Sequence, residues 1–354
     1  FGNGFAQFAT NLTDNQKLTL KYQIGVDSYT TNYSDTWGYG HSNGKGSVEN
    51  YHYSVTELNS LATAVYNWQI NDDLTFDAII GNEIVDRTSR NDYAYGANFN
   101  FGGWNHMNNA STYTASQGLR QTRTFGTFGN ISLAYKNMLF LNATGRNDLV
   151  SNMPRNNRSF FYPSASAGFI FTELDALKNN VLTFGKLRAS YAEVGQAGNY
   201  YDTYYTTPVY GGGFSTGTPI IYPIGSVVAY TQSTVIYDPK LVPQNTKAYE
   251  LGTDLTFYGG LVNLSYTFSR QDVKDQIFNV PLAGSTGNTS YVTNGGRIHT
   301  NAHEATLNIA PFRGEEFRWD FGFNFTKIDN YVDESVLLLM AKRKAGVSAG
   351  IFTG

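Results

Sequence analysis

At 354 residues the chain could hold several soluble domains or one large β structure, and only 15% of it is charged, against about 25% in ordinary soluble proteins. Gly (36), Tyr (26) and Phe (24) are plentiful, mean hydropathy is -0.33, and no apolar run approaches the roughly 18 residues that a membrane-spanning helix needs. A net charge of -3 with a pI near 6.0 leaves no basic face for nucleic acid, and the absence of Cys excludes a disulfide framework and thiolate metal sites.

Along the chain, a short strand is expected near residues 5 to 10 and a long one from 17 to 31. In the latter, Leu18, Leu20, Tyr22, Ile24 and Val26 alternate with Lys17, Thr19, Lys21, Gln23 and Asp27. The next pair, 60 to 70 (Ala62, Ala64, Tyr66, Trp68, Ile70) and 74 to 86 (Leu74, Phe76, Ala78, Ile80), flanks the tight turn Asn71-Asp72-Asp73. Strands over 119 to 135 and 139 to 148 flank Lys136-Asn137-Met138. Then comes 160 to 171, with Phe161, Ala165, Ala167, Phe169 and Phe171 on one face. Residues 173 to 180 read as one helical turn, followed by a strand over 181 to 194. Strands over 246 to 258 (Tyr249, Leu251, Leu255, Phe257) and 261 to 278 (Val262, Leu264, Tyr266, Phe268) flank Gly259-Gly260. The last two cover 290 to 310 and 317 to 332, where Phe317, Trp319, Phe321, Phe323 and Phe325 share a face.

Alternation alone does not separate a sandwich from a membrane barrel, since each buries one face and wets the other. Several segments reach ten or more residues, longer than the usual strand of about five to six and close to the nine to eleven of a tilted transmembrane strand. The wet face is rich in Thr, Ser, Asn and Gly rather than Lys and Glu, and Tyr and Trp recur towards strand ends, as aromatic girdles require. Short turns also alternate with long polar connections (32 to 59, 87 to 118, 195 to 245), the asymmetry of periplasmic turns and extracellular loops. The expected fold is all-β, a transmembrane antiparallel barrel contributing about twelve strands. The chain starts inside a strand and stops in a loop, so residues 1 to 354 are expected to be part of a larger barrel.

Gly145-Arg146-Asn147-Asp148 followed by Arg158-Ser159-Phe160-Phe161-Tyr162-Pro163-Ser164 resembles the SusC/RagA family of TonB-dependent outer-membrane transporters. Leu187-Arg188-Ala189-Ser190-Tyr191-Ala192-Glu193-Val194-Gly195 is similar to a further family segment. Tyr249-Glu250-Leu251-Gly252, a two-Gly turn, and Asp275-Gln276-Ile277 follow in the family's order. Asn294, Gly296, Ile298 and Glu304, then Phe317, Trp319, Asn324 and Val332, complete the match across about 190 residues, with Ala302 and His303 departing from the usual Gly and aliphatic residue. The resemblance implies a 22-stranded barrel with a plug and a TonB box upstream. It also implies a SusD-like surface lipoprotein as lid, a dimer of such pairs, and energy from TonB with ExbB and ExbD. Implied ligands are oligosaccharides or oligopeptides, and no cofactor is implied.

Aromatic side chains stack on sugars and peptide groups, and function concentrates in long loops. The substrate-binding candidates are therefore Trp37, Tyr39, Tyr93, Tyr95, Phe99, Trp104, Tyr200, Tyr201, Tyr204 and Tyr205, with packing of the loops or contact with the lid as the plainer alternative. Arg146, Asp148, Arg188, Glu250 and Asp254 are expected on the lumen face, paired with one another or with the plug. Gly213-Phe214-Ser215-Thr216-Gly217 matches a nucleophile elbow but lacks the strand and helix that the elbow needs, so no catalytic residue is expected. His299 and His303, about 13 Å apart on one strand, cannot share a metal. The sequence thus points to active outer-membrane import of large nutrients without chemistry. A passive diffusion pore, and an adhesin or soluble β structure, are the alternatives.

Overall fold

The structure, a computed structural model, describes residues 1–177, 179–200, 205–206, 210–213, 219–221, 226, 231–314 and 316–334. Side chains are described at these positions except residues 43, 205–221 and 231–232. The chain divides into two compact units, one of residues 1–66, 79–128 and 149–151, the other of residues 67–78, 129–148 and 152–354.

The first unit holds β1 (Gly2–Thr13), β2 (Gln16–Trp37) and most of β3 (Ser47–Asn71), β4 (Leu74–Phe99) and β5 (Ala110–Tyr135). The second holds β6 (Leu139–Val150), β7 (Ser159–Ile170) and β8 (Leu182–Gln196), then the short β9 (Tyr205–Thr206), β10 (Tyr210–Gly213), β11 (Pro219–Ile221), β12 (Thr231–Gln232) and β13 (Val235–Tyr237). It continues through β14 (Gln244–Phe257), β15 (Val262–Lys274), β16 (Ile277–Pro281), β17 (Ser290–Asn294), β18 (Arg297–Arg313) and β19 (Arg318–Glu334). Twelve of these form one sheet in the order β1-β2-β3-β4-β5-β6-β7-β8-β14-β15-β18-β19, which follows chain order with the short strands β9 to β13 and β16 to β17 left out. A separate three-stranded sheet, β13-β17-β16, pairs β13 with β17 in parallel.

The short turns form as their residues dictate. Asn71 accepts the Asp73 N–H on its side-chain oxygen at 2.9 Å, an Asx turn. Lys136 and Asn137 both take positive φ (52° and 51°), the double left-handed geometry that matches the twist of a hairpin. The expected helical turn at 173 to 180 is a 3-10 turn over Phe171–Glu173 continued by a turn to Leu177.

The long connections differ from expectation. Residues 32 to 37 and 47 to 59 are strand, as are 87 to 99 and 110 to 118, so the connections proper shrink to 38 to 46 and 100 to 109. The cause is physical: hydrophobic alternation stops there, but Tyr and Thr keep β-propensity and the ladder continues with both faces polar. The segment 261 to 278 splits into β15 and β16, and 290 to 310 into β17 and β18, the second break falling at Gly295-Gly296, where Gly296 takes φ 77°. The register from β15 to β18 is regular, Val262 facing Ile309 and Lys274 facing Arg297.

Buried apolar side chains are few among the described residues. One small cluster joins Val48, Phe99, Ala110 and Met107. Elsewhere the apolar stripe of the sheet lies open: Leu187, Leu251 and Phe323 are 50%, 60% and 58% exposed. A sandwich would cover that face, because each large apolar side chain left in water forgoes about 1.5–3 kcal/mol.

Candidate functional site

In the second unit the cross-strand rows are sorted by chemistry. On one face Leu255, Leu264, Leu307 and Phe323 lie in register, followed by the row Thr253, Tyr266, Ala305 and Phe325 with Leu187. Two rows on, Tyr249, Arg270 and Asn301 align, with Tyr249 packed on Tyr191 at 5.1 Å. An ionic belt crosses the rows obliquely: Lys247 pairs with Glu193 at 3.0 Å, Arg270 with Asp272 at 3.1 Å and His299 with Asp333 at 2.9 Å, while on β19 Lys327, in register with Phe268 and Leu251, pairs with Asp329 at 2.9 Å. From Phe257 to Lys247 the strand rises roughly 33 Å, or about 25 Å at a tilt near 40°, the height of the apolar band of an outer-membrane barrel.

Asp272, His299 and Asp333 bring potential ligand atoms within 4.8 Å of one another. Arg270 and Arg297 already compensate the two carboxylates, so the group is an ion-pair network. His303 stands apart from it, its ring 5.0 Å from Phe268.

The opposite face is polar. Arg188 pairs with Asp254 at 2.8 Å and donates to Thr267, while Ser265 donates to Asp254 at 2.7 Å. Arg146 pairs with Asp148 at 2.9 Å. Four of the five charges expected on this face therefore pair as two couples. The fifth, Glu250, lines a cavity of about 490 Å³ with Asp77, Lys186, Arg188 and Asn142. Asn130, Ser132, Asn142 and Thr144 satisfy one another on the same side, as polar groups off the apolar face must.

In the first unit the tips of β2, β3, β4 and β5 build a folded knob. Buried Asn109 donates to the carbonyls of Phe101 and Trp104, both at 2.8 Å, and Asn100 donates to the Asn109 carbonyl at 2.9 Å. Phe101, Trp104 and His106 stack in a ladder at 6.0 and 5.0 Å. Tyr39 and Trp104 are exposed, and Trp37, also exposed, packs edge-on to His41 at 4.5 Å and donates its indole N–H to Asp35. Phe99 is different: it is buried and serves the cluster beneath the knob.

Tyr93 and Tyr95 lie half-buried on β4. The loop expected over 32 to 59 concealed their neighbours Tyr33, Tyr51 and Tyr53, which with Tyr29 of the expected strand extend the same polar face on β2 and β3, Tyr51 stacked on Tyr53 at 6.3 Å and Tyr29 tilted against Tyr53 at 6.3 Å. Continuing the strand parity past residue 31 would have found them.

In the second unit Tyr200 packs edge-on against Tyr237 at 6.0 Å, and its N–H donates to the Asn152 carbonyl. Leu241 is fully buried beneath this region, with the carbonyls of Lys240 and Leu241 held by Asn157. Asp238 accepts from the Lys240 N–H and the Thr293 hydroxyl. Burial pushes the Asp238 carboxyl up, but these donors outweigh it and hold the group below the ordinary carboxylate value. Tyr205 begins β9, whereas Tyr201, Tyr204 and residues 214 to 217 of the elbow-like motif lie outside the described residues.

A family model described as "TonB dependent receptor-like, beta-barrel" matches residues 2–350. The TonB-dependent receptor P3 of Formosa agariphila is 27% identical over 224 residues, which is 62% of this chain and 21% of that protein. The TonB-dependent receptor SusC of Bacteroides thetaiotaomicron is 26% identical over 202 residues, 56% of this chain and 20% of that protein. Among solved structures, the RagAB peptide importer in its closed-closed state superposes with a TM-score of 0.81 at 19% identity, covering 94% of this chain and 36% of that one. The chain thus spans between a fifth and about a third of the length of these proteins. Their agreement bears out the SusC/RagA resemblance and the all-β barrel fold. The chain belongs to the TonB-dependent receptor β-barrel family of outer-membrane proteins.

Proposed function

We propose that the chain is part of the barrel of a TonB-dependent importer that carries large nutrients, oligosaccharides or oligopeptides, across the outer membrane. The observation that carries this reading is the inversion of the sheet: an exposed apolar face that ends in aromatic and ionic rows, backed by a polar face. In this reading the apolar face meets lipid, the polar face meets the lumen, and the strands close with others into a barrel of 22. Arg188–Asp254 and Arg146–Asp148 satisfy the wall, and Glu250 is left to a plug. The knob and the tyrosine-bearing strand tips stand on the outer side, where ligand and a SusD-like lipoprotein lid are met, with pairs of such complexes forming dimers. Binding and release do the work, with energy from TonB, ExbB and ExbD, and no bond is made or broken by the chain.

Uptake by cells expressing the whole protein separates this from a passive pore. The expected result is saturable uptake of an oligomer too large for porins, lost when TonB is deleted or the proton gradient is collapsed. Uptake that is linear in concentration and indifferent to both treatments would make the protein a diffusion channel.

A further inference from the structure

The tyrosine-bearing strand tips of the first unit carry charged residues as well as rings. Ser34 donates to Asn50 at 2.8 Å, and Asn32 and His52 bond at 2.7 Å, which fixes the register of β2 against β3 and sets Tyr33 across from Tyr51 and Asp35 across from Glu49. The Asn98 N–H donates to the Gly46 carbonyl at 3.0 Å, which continues the same rows onto β4 and brings Tyr93 beside Tyr51 and Tyr95 beside Glu49. Two carboxylates thus face each other on adjacent strands, an arrangement that costs stability when nothing lies between them. Asp35 accepts from its own strand, the Thr36 N–H at 2.8 Å, the Trp37 indole at 3.1 Å and the Tyr33 hydroxyl. Arg87, lower on β4, is taken by Glu57 at 3.7 Å.

The electrostatics agree with this placement. Asp35 first, then burial and Glu49, holds the exposed Tyr33 phenol above its ordinary value, and burial followed by Glu49 does the same for Tyr93. Tyr33 thus stays a hydrogen-bond donor beside Asp35 and Glu49, and Tyr93 one beside Glu49. Phenol rings around a carboxylate pair make a receptor for an organic cation, because the ring faces and the carboxylates attract the same charge. The stacked spacing of Tyr51 and Tyr53, 6.3 Å, is close to the ~6.7 Å repeat of alternate side chains on an extended peptide.

Resting on the import reading, we propose that these strand tips form a subsite for a protonated lysine or arginine side chain of an extended oligopeptide ligand. The cation sits between Asp35 and Glu49, with Tyr33, Tyr51 and Tyr93 as its aromatic sides. Neighbouring ligand side chains pack along Tyr53 and Tyr29. An acidic peptide is repelled from the same place.

The test is equilibrium binding to the full-length protein in detergent, which needs neither TonB nor a proton gradient. Its outcome is therefore independent of whether uptake proves active. The probes are a fluorescent alanine-rich hexapeptide with one lysine, the same peptide with acetyl-lysine, and a pair of short glucosamine and N-acetylglucosamine oligomers. The expected result is about tenfold tighter binding of the lysine peptide than of its acetylated twin, a preference erased in the Asp35→Asn, Glu49→Gln double variant. Tyr33→Phe, which keeps the ring, retains the preference. Equal binding of the two peptides, a preference that survives the double variant, or an amine preference confined to the sugar pair would each overturn the proposal. Insertion of the double variant is checked by its heat-dependent gel mobility, and a variant with Glu49→Gln alone, expected to lose part of the preference, stands in if the double variant does not insert.

Discussion

At the scale of single residues, a side chain's meaning here depends on its height along the strand as much as on its type. Leu251 and Lys247 lie on the same face, two rows apart, yet one belongs to the apolar band and the other to the ionic belt. A cation on the lipid face costs about 2–4 kcal/mol at mid-membrane and about 0–1 kcal/mol near the interface. Leu251→Arg is therefore expected to destabilise the protein in lipid vesicles by a sizeable part of the larger figure, and Lys247→Arg by almost nothing, both read from denaturant unfolding. Equal effects would remove the depth assignment. The charged residues were legible as a polar-face set from parity. Their pairing was not, since Arg188 finds Asp254 across 66 positions and the sequence contains no signal for that.

At the scale of elements, the sequence supplied the strand count and the short turns because alternation and turn chemistry are local properties. It misjudged the upper halves of β2 to β5, where no apolar stripe marks a strand and the ladder is kept by cross-strand polar pairs such as Ser34–Asn50 and Asn32–His52. Three tyrosines, Tyr33, Tyr51 and Tyr53, therefore fell in an expected loop. The small sheet β13-β17-β16, whose parallel pair joins segments far apart in sequence, was hidden as well. This sheet carries a pH prediction. The donors to Asp238 hold its carboxyl below the ordinary value, so its stabilising contribution is complete above the unfolded value near 3.9 and is lost as pH falls through the lower folded value. Protection of the amides over residues 235 to 243, relative to their intrinsic exchange rates, is expected to fall in that acid window in the parent protein. In Asp238→Asn the protection should be lower already at neutral pH and show no further step in that window. An unchanged acid response in the variant would assign the effect to another group.

At the scale of the whole molecule, composition had already argued against an aqueous surface, and the sheet explains why. Its charged residues are concentrated on the polar face and in a belt, while Leu and Phe occupy the open face between. The remaining step, from a sheet to a barrel in a membrane, is a claim about what surrounds that face. The chain has no Cys, so single Cys substitutions along β14 can carry a spin label without competing thiols in this segment. Labels at residues 246 to 257 of the full-length protein in liposomes, read by collision with oxygen and with a water-soluble nickel complex, test it directly. A two-residue alternation is expected, in which 251, 253, 255 and 257 favour oxygen, 250, 252 and 254 favour nickel, and 247 turns to nickel at the belt. Nickel access on both faces along the whole strand would contradict it.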